Sequence, residues 1–194
     1  FTAYPDCKSG SGFTRGWGFR TEIGTAAVPN YESLVKFLPE KDLWPINDMW
    51  NLHYFGQMAF NAGPERHTAV IENSYGGAKD AKEFCMKSQW VSYESNKALY
   101  EGWLDHMWND ATGVMLWMSG ASYPSMVWQT YDYYYDLTGA YFGCKQACEP
   151  VHIYWNPVTE EVKVANTTTK DYDGLTAEAT VYNMDGKPVA RYSE

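Results

Sequence analysis

Basic residues are scarce in this sequence: 15 Lys and Arg stand against 24 Asp and Glu, a formal net charge of -9. A surface of that sign repels a phosphate backbone or an anionic bilayer instead of releasing counterions to it. Neither nucleic acid nor a membrane is therefore an expected partner. Long apolar runs are missing too, since no stretch approaches the roughly 20 residues that cross a bilayer. The opening, Phe1 to Asp6, has no basic region followed by an apolar one, so the chain reads as soluble, with any signal peptide outside it. Cysteine is sparse: Cys7, Cys85, Cys144 and Cys148 form no CxxC pair, and His53, His67, His106 and His152 stand apart from one another. That spacing argues against a zinc site, and no metal or cofactor is expected. Cys144 and Cys148 are four residues apart and would share a helical face; the plain reading of all four cysteines is free buried thiols, with the state of this pair left open.

What the sequence does have is apolar and aromatic content. Over 194 residues, 45% are hydrophobic and 17% aromatic, enough to bury a substantial core. The first 17 residues, rich in Gly, Ser and Thr with Phe13 and Trp17, read as a loop entering a short strand, Gly18 to Ile23, that stops at Gly24. Tyr31 to Leu38 and Ile46 to Phe55, set off by Pro29, Pro39 and Pro45, predict short helices. A long helical stretch from about Ala78 to Trp108 places Ala81, Phe84, Cys85, Trp90, Tyr93, Leu99, Trp103 and Met107 at helical spacing. Val114 to Met118 is a continuous apolar run that suits a strand buried on both faces. Strand, helix and buried strand make a βαβ unit, so the two strands are expected to pair in parallel. Ala140 to Cys148 reads as one more helix, ended by Pro150.

From Val151 the period becomes two. Val151, Ile153 and Trp155 alternate with His152 and Tyr154, and Val162 and Val164 flank Lys163 across a turn at Asn156 to Glu160. Leu175 to Tyr182 alternates likewise, and Asp185-Gly186 signals a hairpin before Pro188 to Tyr192. Four short strands are too few for a sandwich of about seven, so the expected boundary is near Glu149 and Pro150: residues 1–150 in one domain, and 151–194 opening another.

Glu22 is the candidate that carries chemistry. It ends a short strand and precedes Gly24 and the small-residue loop Thr25 to Val28; carboxylates at the carboxyl ends of α/β-barrel strands face the active site. Placed there among aromatics, it fits a nucleophile that attacks an anomeric carbon; the plainer reading is a cap or an ion-pair partner. The run Gly18-Phe19-Arg20-Thr21-Glu22-Ile23-Gly24, then Pro29, Leu38-Pro39-Glu40 and Asp42-Leu43-Trp44-Pro45-Ile46-Asn47, resembles the nucleophile strand and following segment of glycoside hydrolase family two. Met115-Leu116-Trp117, Tyr123-Pro124-Ser125, Trp128, Tyr131-Asp132-Tyr133-Tyr134, Ala140-Tyr141-Phe142-Gly143-Cys144-Lys145 and Ala147-Cys148-Glu149-Pro150 look like the last barrel strand and helix of exo-β-D-glucosaminidases of that family. The matches run in family order from about Gly18 to Pro157.

The resemblance implies the C-terminal portion of a (β/α)8 TIM barrel followed by the first strands of an immunoglobulin-like β-sandwich. Gly18 to Ile23 would be the seventh barrel strand and Val114 to Met118 the eighth. Glu22 falls on the nucleophile position of a retaining enzyme, whose acid/base lies on an earlier strand, upstream of Phe1. On that reading the chain is catalytically incomplete, and its partners are a carbohydrate substrate and either the remaining N-terminal part of the enzyme or a second copy. A secreted or periplasmic location is the family expectation. Where many relatives carry Asn and Trp after the eighth strand, this chain has Ser119-Gly120-Ala121-Ser122-Tyr123-Pro124, with Tyr123 in the Trp place. The amine-recognising carboxylate of glucosaminidases is not locatable, which keeps a β-mannosidase, or a carbohydrate-binding piece that does not cut, as alternatives.

Five further residues are substrate-binding candidates. Trp117 is either the floor of a sugar subsite or core packing, and Ser119 and Tyr123 sit on the altered loop. Trp128, with the Tyr131 to Tyr135 run, either lines an aromatic cleft or bridges barrel and sandwich. Arg20, two residues before Glu22 and on the same side of the strand, would favour its ionised form. His53 and Trp50 are weaker candidates, and Asn166-Thr167-Thr168 matches a glycosylation acceptor of little specificity.

Overall fold

A computed structural model describes residues 17–25, 27–53, 64–126 and 128–194. The readings for the opening loop, with Asp6, Cys7 and Phe13, and for the end of the second short helix at Phe55 lie outside the described residues. Strand β1 (Gly18–Ile23) and strand β2 (Ala111–Leu116) pair in parallel, with Arg20 opposite Val114 and Ile23 opposite Leu116. Between them run helices α1 (Tyr31–Leu34), α2 (Asp48–Leu52), α3 (Pro64–Tyr75) and α4 (Ala81–His106), and α5 (Gly139–Ala147) follows β2. The parallel pairing agrees with the βαβ reading.

Several boundaries differ from expectation. The first short helix ends at Leu34 and passes into a turn, and the second spans Asp48–Leu52. Helix α3 was not foreseen at all. Strand β2 starts and ends earlier than the apolar run and is not buried on both faces: Met115 is 55% exposed. Only one face is covered by α4 in the described structure, so an apolar run is not proof of two covered faces.

Helix α4 is the element on which the rest is assembled. Its start is capped twice: the Asp80 carboxylate accepts from the Glu83 N–H at 2.8 Å, and the Glu83 carboxylate accepts from the Lys79 N–H at 3.0 Å. One face carries Leu99 and Trp103 against Trp17, Ile23 and Ala111, the small core beneath the strand pair. A second face meets α5 so closely that a Cβ added at Gly143 would lie 2.2 Å from the Tyr93 carbonyl. Toward its start, Phe84, Cys85 and Val91 join Val28, Leu34, Leu38, Trp50, Ile71 and Met126 in the larger core. Trp50 is fully buried there, its indole N–H donating to the Asp42 carbonyl at 3.0 Å, so it is a core residue and not a site candidate.

His67 of α3 is buried, with Nε2 3.0 Å from the Ser88 hydroxyl, and burial pushes its imidazole down to about 4. The unfolded chain protonates this residue near its ordinary 6.5, so between those values the unfolded state binds more protons. Stability is therefore complete above about pH 6.5 and falls by up to about 3 kcal/mol as the pH drops toward 4. Denaturant titrations at pH 7 and 4.5 are expected to show this loss, and His67→Gln to reduce it.

After α5 the chain forms two antiparallel hairpins, β3 (Val151–Asn156) with β4 (Glu161–Asn166) and β5 (Glu178–Tyr182) with β6 (Pro188–Ser193), as the period-two pattern predicts. The first hairpin docks on α4 through side chains set by both periodicities. Lys97, Glu101 and Asp105 stand at i, i+4 and i+8 on the helix; His152 and Tyr154 stand at alternate positions on β3. Glu101 Oε1 lies 2.8 Å from His152 Nε2 and also pairs with Lys97, while Asp105 accepts from the Tyr154 hydroxyl at 3.3 Å and from Lys163 at 2.7 Å. Glu101 and His152 are both buried. Glu101→Ala should lower stability by about 2–3 kcal/mol, because it strands buried polar partners. Glu161→Ala, which removes an exposed 3.7 Å pair with Lys163, should cost less than about 1 kcal/mol. Chemical denaturation of the two variants checks the contrast.

Cys85, Cys144 and Cys148 are free; Cys85 is buried, but Cys148 is exposed, contrary to the expectation of buried thiols. Burial pushes both the Cys85 and Cys144 thiols up to about 12. Among the described residues no helix is long and apolar enough to cross a membrane, and no cluster of His, Cys, Asp and Glu could hold a metal.

Candidate active site

Strand β1 is irregular where it reaches Glu22, the pairing with β2 shifting register between Arg20 and Ile23. Trp17 and Ile23 are buried against α4, and Arg20 is half-buried. Glu22 is exposed, and it is the acidic residue within the sequences of β1 and β2. The Arg20 Nε donates to the main-chain carbonyl of Glu22 at 3.2 Å, which ties the guanidinium to the end of the strand.

The end of β1 is joined to the segment after β2. The Trp117 N–H donates to the Ile23 carbonyl at 2.7 Å, carrying the strand contact beyond the ladder. At Gly24 a Cβ would meet the Trp117 carbonyl oxygen at 2.2 Å and Trp128 Cδ1 at 3.1 Å. The absence of a side chain there lets both segments approach the residue two places after Glu22. Trp128 has φ of 54°, a conformation that costs a bulky residue of order 1 kcal/mol or more and is held by its surroundings. Trp117 is 44% exposed, so its ring is not a core residue of the described structure.

Ser119 contributes through its backbone. Its carbonyl accepts from the Thr130 N–H at 3.0 Å, the Tyr131 N–H at 3.2 Å and the Thr130 hydroxyl at 3.0 Å, pinning the two ends of the loop together. Tyr123 lies within that loop, 46% exposed. Beside it the Pro124 carbonyl accepts from His53 Nδ1 at 2.6 Å, and the Met126 N–H donates to the His53 carbonyl at 2.7 Å. His53 is thus a half-buried anchor of the loop rather than a surface residue; no local sequence signal identifies a partner 71 positions away. The structure therefore brings the Trp117 backbone and the Trp128 ring to Gly24, two residues after Glu22, with Ser119 and Tyr123 on the adjoining loop.

No protein-family model matches the chain. It is 29% identical over 185 residues to a mannosylglycoprotein endo-β-mannosidase of Lilium longiflorum, covering 88% of this chain and 19% of that protein. It is 34% identical over 180 residues to an exo-β-D-glucosaminidase of Streptomyces avermitilis, covering 87% of this chain and 19% of that protein. The crystal structure of the exo-chitosanase of Amycolatopsis orientalis superposes with a TM-score of 0.83 at 27% identity, over 99% of this chain and 23% of that one. The chain is a relative of the family-two glycoside hydrolases. It spans about a fifth of the length of the relatives it matches. The arrangement offers one exposed carboxylate at the end of a strand, two residues before the glycine on which the Trp117 backbone and the Trp128 ring converge.

Proposed function

We propose that the protein to which this chain belongs is a retaining exo-β-glycosidase that releases β-linked glucosamine from chitosan oligosaccharides, with Glu22 as nucleophile. The observation that supports this reading is Glu22 itself: an exposed carboxylate at the end of β1, two residues before the glycine at which the Trp117 backbone and the Trp128 ring converge. In this assignment β1 and β2 are the last two strands of a (β/α)8 barrel, and the hairpins from Val151 open an immunoglobulin-like sandwich. The Glu22 carboxylate attacks the anomeric carbon as the glycosidic bond breaks, and a second carboxyl group protonates the departing oxygen. Water activated by that second group then hydrolyses the glycosyl ester. Retention requires the two groups about 5–5.5 Å apart, and we assign the second to an element outside the described residues. The Amycolatopsis exo-chitosanase has been crystallised with PNP-β-D-glucosamine, which supports the amino sugar.

A β-mannosidase is the second reading, favoured by the Lilium endo-β-mannosidase relative and by the Ser119 to Tyr123 loop. Hydrolysis of aryl β-D-glucosaminide and aryl β-D-mannoside by the full-length protein separates them. A kcat/KM preference for the glucosaminide supports the proposal; preference for the mannoside transfers it to the second reading, and failure on both sinks it. The 194-residue chain alone is expected to bind sugar without cutting it.

A further inference from the structure

The Asn-Thr-Thr triplet at the end of β4 is a sequence motif to which the glycosidase reading gives no role. Among the asparagines of the sequence, only Asn166 is followed two places on by a hydroxyl residue with no proline between, in Asn166-Thr167-Thr168. The fold puts that asparagine where a bulky group can be carried. Asn166 is the last residue of β4, paired with Val151 at the open end of the hairpin, and it is exposed. Residues 169–176, which carry the chain away from it, are exposed as well.

The triplet folds on itself. Asn166 Oδ1 accepts from the Thr168 N–H at 2.9 Å and from the Thr168 hydroxyl at 2.7 Å, while Asn166 Nδ2 donates to the Lys170 carbonyl at 2.8 Å. The Thr167 N–H donates to the Pro150 carbonyl at 2.9 Å, which fixes the middle of the triplet to the start of β3. These bonds decide whether a modified side chain fits. An N-linked sugar replaces one of the two hydrogens on Nδ2. The other hydrogen remains for the Lys170 carbonyl, and Oδ1 keeps both of its donors, so the loop can hold its bonds with the sugar in place. Asn183 supplies the contrast within the same chain. It is also exposed, and its Oδ1 accepts from the Asp185 and Lys187 N–H groups at 3.0 Å each, but the residue two places on is Asp185, which has no hydroxyl.

We propose that Asn166 is an acceptor for N-linked glycosylation, with a lipid-pyrophosphate-linked oligosaccharide as donor. Nδ2 forms a bond to the anomeric carbon of the oligosaccharide as the bond from that carbon to the pyrophosphate oxygen breaks. The lipid pyrophosphate leaves with the electron pair, and the proton lost from Nδ2 passes to a base of the transferase. The Thr168 hydroxyl is the group that distinguishes Asn166 from Asn183 for that enzyme. The inference requires passage of the protein through a secretory compartment that holds such a transferase, and it is independent of the glycosidase reading.

The test is site occupancy in the full-length protein secreted from a eukaryotic host. Its tryptic peptides are treated with peptide-N-glycosidase in heavy-oxygen water, which turns a glycosylated asparagine into a labelled aspartate, and are examined by mass spectrometry. The peptide of residues 164–170 is expected to carry the label at position 166, and only after the enzyme has acted. Thr168→Ser keeps a hydroxyl and should keep the label; Thr168→Val keeps the shape without the hydroxyl and should lose it. Asn183 should be unlabelled in all three proteins. A secreted wild-type protein with Asn166 unlabelled overturns the proposal, whether or not the variants fold. A label that persists in Thr168→Val overturns the role given to the hydroxyl.

Discussion

Glu22→Gln is expected to reduce hydrolysis by the full-length protein by at least about 10⁴-fold in kcat, while leaving its folding stability within about 0.5 kcal/mol of the parent. The two halves of this expectation have different origins. Glutamine has nearly the shape of glutamate, but its amide cannot attack the anomeric carbon and leave again, so the covalent route closes. The stability half follows from position: Glu22 is exposed and is not part of the core formed by Trp17, Ile23, Leu99, Trp103 and Ala111. Binding of substrate should survive the substitution, since the indoles of Trp117 and Trp128 are untouched. Loss of activity together with loss of fold would mean that Glu22 is a structural ion-pair partner, the plainer reading of an acid at a strand end.

Gly24→Ala should impair both stability and activity. The new Cβ would stand 2.2 Å from the Trp117 carbonyl oxygen, which is backbone and cannot swing aside. Either the end of β1 or the segment after β2 must move, and the 2.7 Å bond from the Trp117 N–H to the Ile23 carbonyl is the contact at stake. Overpacking of this kind costs about 1–3 kcal/mol. A displacement on the order of 1 Å between Glu22 and Trp117 would cost about 10²-fold in rate. Gly113→Ala is the control. Its new Cβ would meet the Phe19 ring at 2.7 Å, but that ring is 60% exposed and can rotate into solvent, so the loss should be smaller. Thermal unfolding and kcat/KM of both variants check the comparison; equal losses would show that the approach at Gly24 has no special weight.

How far the sequence was legible depended on whether the signal was local. Strand β1 matched its expected bounds because glycines stand on either side of it, and the hairpins followed from alternation such as Ile153 and Trp155 against His152 and Tyr154. Helix α3 escaped because Val70 and Ile71 are few apolar positions in a polar stretch, and its burial comes from packing against α4. Strand β2 was read as doubly buried from composition, whereas burial is set by what covers each face. At the candidate site, Glu22 was singled out by its place at the end of a short strand and by resemblance. The bond from His53 to the Pro124 carbonyl and the approach of Trp117 to Gly24 were not legible, since each joins residues through space or through backbone geometry that a single sequence does not display.

The measurement that bears most directly on the central claim is covalent trapping. The full-length protein would be treated with an activated 2-deoxy-2-fluoro-β-glycoside, which slows breakdown of the glycosyl ester, then digested and examined by mass spectrometry. The account predicts one added glycosyl group on the peptide containing Gly18-Phe19-Arg20-Thr21-Glu22, with the label on Glu22 and absent from Glu22→Gln. A label on another carboxylate, in a protein whose hydrolysis is intact, would contradict it.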